Sequence, residues 1–263
     1  MALVKPKLVA TDLDGTLVRK DGTVSPYTRE VLTRLEALGV PVIFVTGRPL
    51  RWTTPVFEHV GSHGLAIVSN GALVWDVAEN VPRLSHALES QVSFEVASRI
   101  REALPGSFFG AERIDGFALE PGFPAGREEA PQQELAELTA TPMLKLLSLH
   151  PEHQPDDYGK RAQEAVGELA TVTHSSTFAL LEISAYGVTK ASTLAQVAES
   201  LGVRAADVIA FGDMPNDLAM LTWAGRSFAM ADAHPTVREC AGGLAPSHEE
   251  DGVARVLAEV FDL

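Results

Sequence analysis

The sequence of 263 residues has little cysteine, no long apolar run and no excess of positive charge. Its one cysteine, Cys240, excludes a framework of internal disulfides and fits a reducing compartment. No apolar run approaches the roughly 18 residues that a membrane-spanning helix needs. The net charge of −14 argues against a general binder of nucleic acid or of anionic membranes, because both reward a basic surface. An anionic substrate is still allowed, since local charges and metal ions decide its binding.

A secretory leader is also not evident at the amino terminus. Residues 1–7 lead directly into an apolar segment, without the charged region, apolar stretch and cleavage site of a signal peptide. Together with the scarcity of cysteine, this predicts a cytoplasmic protein. Hydrophobic residues make up 46% of the chain and charged residues 21%, as in ordinary globular proteins, and the length is sufficient for two domains.

Strand and helix signals alternate at both ends of the chain. Short apolar runs predict strands, and segments with helical periodicity that are bounded by proline or glycine predict helices. The predicted strands are 8–11, 42–45, 66–68, 208–211 and 227–230, and the predicted helices are 25–38, 190–201 and one that opens at Pro215. Strands that alternate with helices are typical of βαβ units, so both ends predict an α/β fold with a parallel sheet.

The middle of the chain has a different character. Its strand signals are weaker, as at 117–119 and 145–149, and the stretch 121–126 is typical of a loop. We interpret this part as a second, α+β domain inserted into the first. The predicted boundaries are 1–81 with 185–263 for the core domain and 82–184 for the insertion.

Two carboxylates, Asp12 and Asp14, follow the first predicted strand, and Gly15 then turns the chain. In open α/β sheets, ligands bind outside the carboxyl ends of the strands. Two neighbouring carboxylates repel each other, so they favour a cation, a shared proton or both. Either aspartate alone could form a turn or cap a helix, but a cap needs only one carboxylate. The pair therefore indicates metal-assisted chemistry on a phosphate.

Further polar residues fall at strand ends or helix starts, namely Thr46, Lys190, Asp213, Asn216 and Asp217. Thr46 and Asp213 could each belong to a turn, and Asp217 is favourable in a first helical turn for its charge alone. Lys190 could be a solvated surface residue, but a lysine at a helix start opposes the macrodipole unless an anion lies nearby. In a doubly wound sheet these residues converge on one edge, where carboxylate oxygens suit Mg²⁺.

The motifs resemble those of the haloacid dehalogenase superfamily, specifically the Cof-type phosphatases with a large α/β cap inserted after the third strand. The resemblance covers nearly the whole chain. It rests on 12–16, 45–48, Lys190 and 212–217, with 181–183, 187–190 and 250–254 as further similar stretches. It implies a doubly wound, Rossmann-like core, a cap that selects the substrate, and Mg²⁺-dependent hydrolysis of a small phosphorylated metabolite such as a sugar phosphate.

The resemblance also implies a role for each motif residue. Asp12 would attack phosphorus and form an aspartyl-phosphate, as a carboxylate that is ionised at neutral pH and needs no base. Asp14 would be the general acid and then the general base, and its backbone carbonyl would bind the metal together with Asp12 and Asp213. Thr46 would hydrogen-bond a phosphoryl oxygen. Lys190 would stabilise the phosphoryl charge and hold Asp12.

Other residues of the matching segments receive broader roles. Asn216 and Asp217 would support the metal site, directly or through water. Substrate contacts would come from Gly47, Arg48, Asn70 and Gly71. The alternative for the Asn-Gly pair is a hairpin turn, and the alternative for the arginine is a solvated surface position.

One segment departs from the family. Asp232, within Ala231–Ala233, replaces the asparagine of a Gly-Asn-Ala segment and adds a negative charge near the site. In the insertion, the sequence does not rank the candidate substrate contacts, which are Arg113, Lys145, His174 and Glu182.

Other functions stay open at this point. A phosphohexomutase would share these residues but would need a bisphosphate activator and slow hydrolysis of the aspartyl-phosphate. A dehalogenase would have no use for the acid chemistry of Asp14. A non-catalytic phosphometabolite sensor could lose Asp14 freely, and a receiver-like signalling module would be much shorter and lack the insertion. The oligomeric state is also left open.

Overall fold

A computed structural model describes residues 5–60, 64–124 and 130–263, with 58–60 as backbone only. Two segments discussed above lie partly outside these ranges. They are the amino-terminal residues 1–7, where no secretory leader is expected, and the predicted loop at 121–126. The chain divides into two compact units, which we call the core (Met1–Leu84 and Lys190–Leu263) and the insert (Ser85–Thr189). Each boundary lies a few residues later than the sequence suggested.

The secondary structure alternates as predicted at both ends of the chain. In chain order the strands are β1 (Leu8–Thr11), β2 (Val42–Val45), β3 (Leu65–Val68), β4 (Leu73–Asp76), β5 (Val81–Ser85), β6 (Phe108–Arg113), β7 (Gly116–Leu119), β8 (Lys145–Leu149), β9 (Ala170–Thr173), β10 (Leu180–Ala185), β11 (Val208–Gly212), β12 (Arg226–Met230) and β13 (Gly243–Ala245). The α-helices are α1 (Pro26–Ala37), α2 (Leu50–Val60), α3 (Ser90–Ala103), α4 (Leu135–Leu138), α5 (Pro155–Val166), α6 (Lys190–Ser200), α7 (Leu218–Trp223), α8 (Pro235–Cys240) and α9 (Gly252–Phe261).

The core is built on one sheet with the strand order β13-β12-β11-β1-β2-β3-β4-β5. From β13 to β3 the neighbouring strands are parallel, whereas β4 runs antiparallel to β3. The order reverses beside β1, because β2 and β3 follow on one side and β11 and β12 on the other. The predicted doubly wound core is therefore confirmed. The sequence did not indicate β4, β5 or β13, and β5 has no buried residue that could create an apolar pattern.

Local sequence explains why these elements form. All residues of β1 and β2 are buried, as expected for parallel strands that are covered on both faces. Helix α1 begins after Ser25, whose side chain accepts a hydrogen bond from the Thr28 N–H at 3.0 Å, and Pro26 occupies a first-turn position that needs no donor. These elements place the carboxyl ends of β1, β2 and β11 side by side.

The insert has its own antiparallel sheet, in the strand order β7-β6-β8-β10-β9. Side chains of α3 and α5, such as Ile100 and Tyr158, share a buried apolar cluster with Leu146 and Leu181 from the sheet. This is an α+β arrangement with its own hydrophobic core. Among the helices of the described residues, none has both the length and the apolar character needed to cross a membrane.

Candidate active site

The carboxyl ends of β1 and β11 bring predicted site residues together. The two strands pair in parallel, and the Asp12 N–H donates to the Phe211 carbonyl at 3.0 Å. One carboxylate oxygen from each of Asp12, Asp213 and Asp217 lies within 4.8 Å of the others. This acidic cluster lies where the strand order reverses, which is the usual ligand position in a doubly wound sheet.

Lys190, the first residue of α6, is buried between two of these carboxylates. Its Nζ donates to Asp12 Oδ1 at 2.6 Å and to Asp217 Oδ1 at 2.7 Å, and only 1% of the residue is exposed. Burial lowers the pKa of the Lys190 ammonium, but the two carboxylates outweigh burial and raise it above the usual lysine value. Lys190 is thus a fixed cation and not a solvated surface residue.

Asp217 uses both of its oxygens within the core. While Oδ1 accepts from Lys190, Oδ2 accepts the backbone N–H groups of Asp213 and Met214 at 3.0 and 3.1 Å. A Cβ at position 212 would lie 2.6 Å from the Asp217 Cγ, so only Gly212 allows this approach. Asp217 therefore shapes the loop that carries Asp213, and it is better placed to support a metal site than to bind a cation itself.

The turn after β1 wraps around Asp213. The Thr16 hydroxyl donates to Asp213 Oδ1 at 2.8 Å. Gly15 has a φ of +73°, and a Cβ there would lie 2.3 Å from Asp213 Oδ2. On the other side, the His234 N–H donates to the Asp213 backbone carbonyl at 2.8 Å. Asp213 is thus held at its carboxylate by the turn after β1 and at its backbone carbonyl by the His234 N–H.

The cluster holds more negative than positive charge. Burial raises the pKa of Asp12 well above its usual value, with Lys190 opposing the rise and Asp217 and Asp213 adding to it. Burial, followed by the charge of Asp217, raises the pKa of Asp213 to about 7. The pKa of Asp12 thus reflects burial and neighbouring carboxylates, which disfavour the ionised form, against the Lys190 ammonium, which favours it. A divalent cation that prefers oxygen ligands fits the excess of negative charge in the cluster, and Mg²⁺ binds carboxylates of this kind.

Thr46 and Arg48 follow β2 and face the same edge. Thr46 is buried, and its hydroxyl oxygen accepts the Arg48 N–H at 3.0 Å, with the half-buried Gly47 between them. The Arg48 guanidinium donates to both carboxylate oxygens of Asp14, through Nε at 2.6 Å, and also to the Trp52 carbonyl at 3.1 Å. The hydrogen bond with Asp14 raises the pKa of Arg48. Arg48 is therefore an ion-pair partner of Asp14.

Asn70 and Gly71 belong to the loop between β3 and β4, so the hairpin interpretation of this pair is correct. The same loop also bonds to other parts of the site. The Asn70 N–H donates to the Thr46 carbonyl at 3.0 Å, and Asn70 Oδ1 accepts from Asn216 Nδ2 at 2.9 Å. Both asparagines are buried. Asn70 therefore belongs to a hairpin loop and is also hydrogen-bonded to Thr46 and Asn216 of the site.

The unusual charge of Asp232 has a partner that the sequence did not indicate. Asp232 Oδ2 lies 3.1 Å from Nδ1 of His248, a buried residue whose Nε2 lies 3.4 Å from Glu249 Oε1. The two partners are 16 positions apart in the sequence, and no periodic pattern connects them. The carboxylate of Asp232 thus lies beside the ring of a buried histidine.

The four candidate contacts of the insert each have a polar partner within that unit. Lys145 Nζ donates to Glu182 Oε1 at 2.5 Å, and both residues are buried. Arg113 donates to a backbone carbonyl of the insert at 2.6 Å, and His174 Nε2 lies 3.1 Å from the exposed Asp156. Lys145 and Glu182 balance each other's charge, and Arg113 has a structural contact.

Comparison with known proteins gives the family of the chain. The family model described as haloacid dehalogenase-like hydrolase matches residues 9–257. The 5-amino-6-(5-phospho-D-ribitylamino)uracil phosphatase YcsE of Bacillus subtilis is 28% identical over 95% of this chain and 94% of its own. The HMP-PP phosphatase of Serratia proteamaculans is 27% identical over 88% of this chain and 86% of its own.

A solved structure shows the same fold. SMU.1108c from Streptococcus mutans superposes with a TM-score of 0.87 at 21% identity, covering 98% of this chain and 100% of that one. The family match and the phosphatase relatives confirm the predicted superfamily and the predicted phosphatase class. With almost its whole length matched by the family model, the chain belongs to the haloacid dehalogenase-like hydrolases.

Proposed function

We propose that the protein is a Mg²⁺-dependent phosphatase that hydrolyses a small phosphorylated metabolite through an aspartyl-phosphate on Asp12. The observation that carries this proposal is the Lys190 ammonium, held between Asp12 and Asp217 beside Asp213. The activities of the two related phosphatases, both on phosphorylated small molecules, support the substrate class. A cytoplasmic location and a substrate-selecting role for the insert belong to the same proposal.

The residues present suit a bound magnesium ion. Asp12, Asp213 and the backbone carbonyl of Asp14 would hold it, and Asn216 and Asp217 would support them. When bound, Mg²⁺ neutralises carboxylate charge and lowers the repulsion between Asp12 and a phosphate dianion. The raised pKa values of Asp12 and Asp213 support this assignment, since both carboxyls need positive charge nearby to ionise.

The first chemical step is assigned to Asp12. Because Lys190 donates a hydrogen bond to Asp12 Oδ1, we assign the attack on phosphorus to Asp12 Oδ2. The bond from phosphorus to the leaving oxygen breaks as the bond to Asp12 forms, and Asp14 gives its proton to that oxygen. Thr46, Gly47 and Arg48 would bind phosphoryl oxygens.

The second step returns Asp12 to its free form. Asp14, now ionised, takes a proton from water, and the water oxygen attacks phosphorus while the bond to Asp12 breaks. In the structure Arg48 donates to both oxygens of Asp14. A bound phosphate group would compete with Asp14 for the same guanidinium.

The test is phosphate release from a panel of phosphorylated metabolites with Mg²⁺ and with EDTA. We expect metal-dependent release by the wild type. Asp12→Asn should reduce kcat by on the order of 10⁴- to 10⁶-fold, because the amide oxygen is a poor nucleophile. The matched control is Asp262→Asn, at a carboxylate that is largely exposed, and it should retain full activity. Substantial turnover by Asp12→Asn would refute the assignment.

A chemical trap tests the intermediate separately. Acid quenching during turnover preserves an acyl phosphate, and borohydride reduces it to homoserine. Peptide mass spectrometry should then find homoserine at position 12 in the wild type and not in Asp12→Asn. Turnover without this modification would leave a phosphatase that works by another route.

A further inference from the structure

The loop between β3 and β4 has an unusual backbone. Ser69, Asn70 and Gly71 follow one another with φ values of +52°, +57° and +103°. Glycine adopts such values freely and asparagine tolerates them, but serine rarely does. All three residues are buried. Strained backbone of this kind persists only where the surrounding structure holds it, and it is frequent at functional sites.

The bonds made by this loop explain what holds it. They connect it to the segment after β2, to α6 one turn beyond Lys190, and to the loop that follows β11. The bonds are Asn70 N–H to Thr46 carbonyl at 3.0 Å, Ser69 N–H to Arg48 carbonyl at 2.9 Å, Thr193 hydroxyl to Gly71 carbonyl at 2.8 Å, and Asn216 Nδ2 to Asn70 Oδ1 at 2.9 Å. The strained loop therefore joins three segments of the site.

The last of these bonds fixes the orientation of an amide. Because Asn70 Oδ1 accepts from Nδ2 of Asn216, the Asn216 amide cannot turn over without losing that hydrogen bond. Asn216 Oδ1 is buried and, among the described residues, has no hydrogen-bond partner. A buried acceptor of this kind needs an explanation, and an ion or a water is the usual one. Asn216 lies in the loop between Asp213 and Asp217, two members of the acidic cluster.

We propose that Asn70 is a positioning residue of the metal centre and not a substrate contact. It holds the Asn216 amide with Oδ1 available to the cation or to a water bound to it. This inference rests on the proposed function, since it requires the magnesium site. It also replaces the substrate-binding role that the sequence suggested for Asn70. Partners that orient metal ligands typically change metal affinity by 10- to 100-fold when they are removed.

The decisive variant is Asn70→Gly, because glycine adopts the positive φ freely and removes the Oδ1 acceptor together with the rest of the side-chain amide. We expect the Kd for Mg²⁺, measured by calorimetry on substrate-free protein, to rise 10- to 100-fold. At saturating Mg²⁺ the KM should change less than about two-fold, since no substrate contact is lost. The matched control is Asn80→Gly, at an exposed asparagine with a φ of +55°, and it should leave Mg²⁺ binding unchanged.

A double-mutant cycle shows whether Asn70 acts through Asn216. Asn216→Ala alone should weaken Mg²⁺ binding, and adding Asn70→Gly to it should then have little further effect. Asn70→Asp keeps an acceptor oxygen for Asn216 Nδ2, so it should bind Mg²⁺ at least as well as the wild type. If Asn70→Gly does not fold, loss of Mg²⁺ binding by Asn70→Asp would overturn the proposal on its own.

The remaining outcomes are also decisive. Unchanged Mg²⁺ affinity in Asn70→Gly, or an equal loss with and without Asn216, overturns the positioning role. A large rise in the KM of Asn70→Gly at unchanged Mg²⁺ affinity would indicate that Asn70 contacts the substrate. If the wild type itself binds no Mg²⁺, the proposed function fails together with this inference. If the wild type binds Mg²⁺ but the Asn70 variants do not behave as expected, only the positioning role of Asn70 is refuted and the proposed function stands.

Discussion

Without metal, the protein should become less stable as the pH rises from 5 to 8. The cause is Asp213, whose pKa is raised by burial and by Asp217 to about 7, against about 3.9 for an unfolded chain. Between these values the folded protein binds more protons than the unfolded chain does. The free energy of unfolding therefore falls as the pH rises through this window, and it stops falling above about pH 7.

The size of the effect follows from the same pKa values. Each pKa unit corresponds to about 1.36 kcal/mol, so ionising Asp213 between pH 5 and 7 removes roughly 3 kcal/mol of stability. For a chain of this length that equals a decrease in Tm of roughly 6–12 °C. The raised pKa of Asp12 acts in the same direction. In the proposed metal site, Mg²⁺ would bind the ionised carboxylates of the folded state, so adding it should restore the loss at pH 8.

Thermal melts in EDTA and in excess Mg²⁺, from pH 5 to 8, test this prediction. Asp213→Asn removes the titrating group, so its metal-free Tm should vary much less with pH. Asp262→Asn is the matched control and should keep the wild-type slope. A metal-free Tm that stays constant or rises from pH 5 to 8 would contradict the assigned environment of Asp213.

Two further substitutions probe the fixed charges. Lys190→Met should lower the metal-free free energy of unfolding by about 3–5 kcal/mol, since it leaves Asp12 and Asp217 buried without their cation. Urea denaturation measures this, and a loss below about 1 kcal/mol would contradict the burial of the ammonium. Arg48→Lys should lower kcat/KM by roughly 10- to 100-fold, because an ammonium cannot form the paired bonds of a guanidinium. Steady-state kinetics at saturating Mg²⁺, with an unchanged Tm as control, decide whether the pair with Asp14 matters.

Local sequence signals were sufficient for much of the fold. The helix predicted at 190–201 is α6, Lys190–Ser200, and the strand predicted at 208–211 is β11, Val208–Gly212. Apolar runs and flanking glycines define such elements without reference to distant parts of the chain. The strand ends also placed Asp12 and Asp213 on one edge of the sheet, because parallel strands share a direction.

Contacts between distant residues had no such signal. Asn70 and Asn216 are 146 positions apart, and nothing in either segment indicates that their amides meet. The raised pKa of Asp12 also had no signal in the sequence, because it results from burial and from charges that only the folded chain brings together. Strand β5 was missed because its largely exposed residues show no apolar pattern.

The close approach of Gly15 to Asp213 affects how mutational surveys of this protein should be interpreted. Any side chain at position 15 would both strain a backbone at φ +73° and push against a carboxylate oxygen. Nearly every replacement should therefore inactivate the enzyme, and the position will score like a catalytic one although glycine has no reactive group. Loss of activity on substitution of Gly15 would therefore result from steric conflict with the Asp213 carboxylate and not from loss of a reactive group.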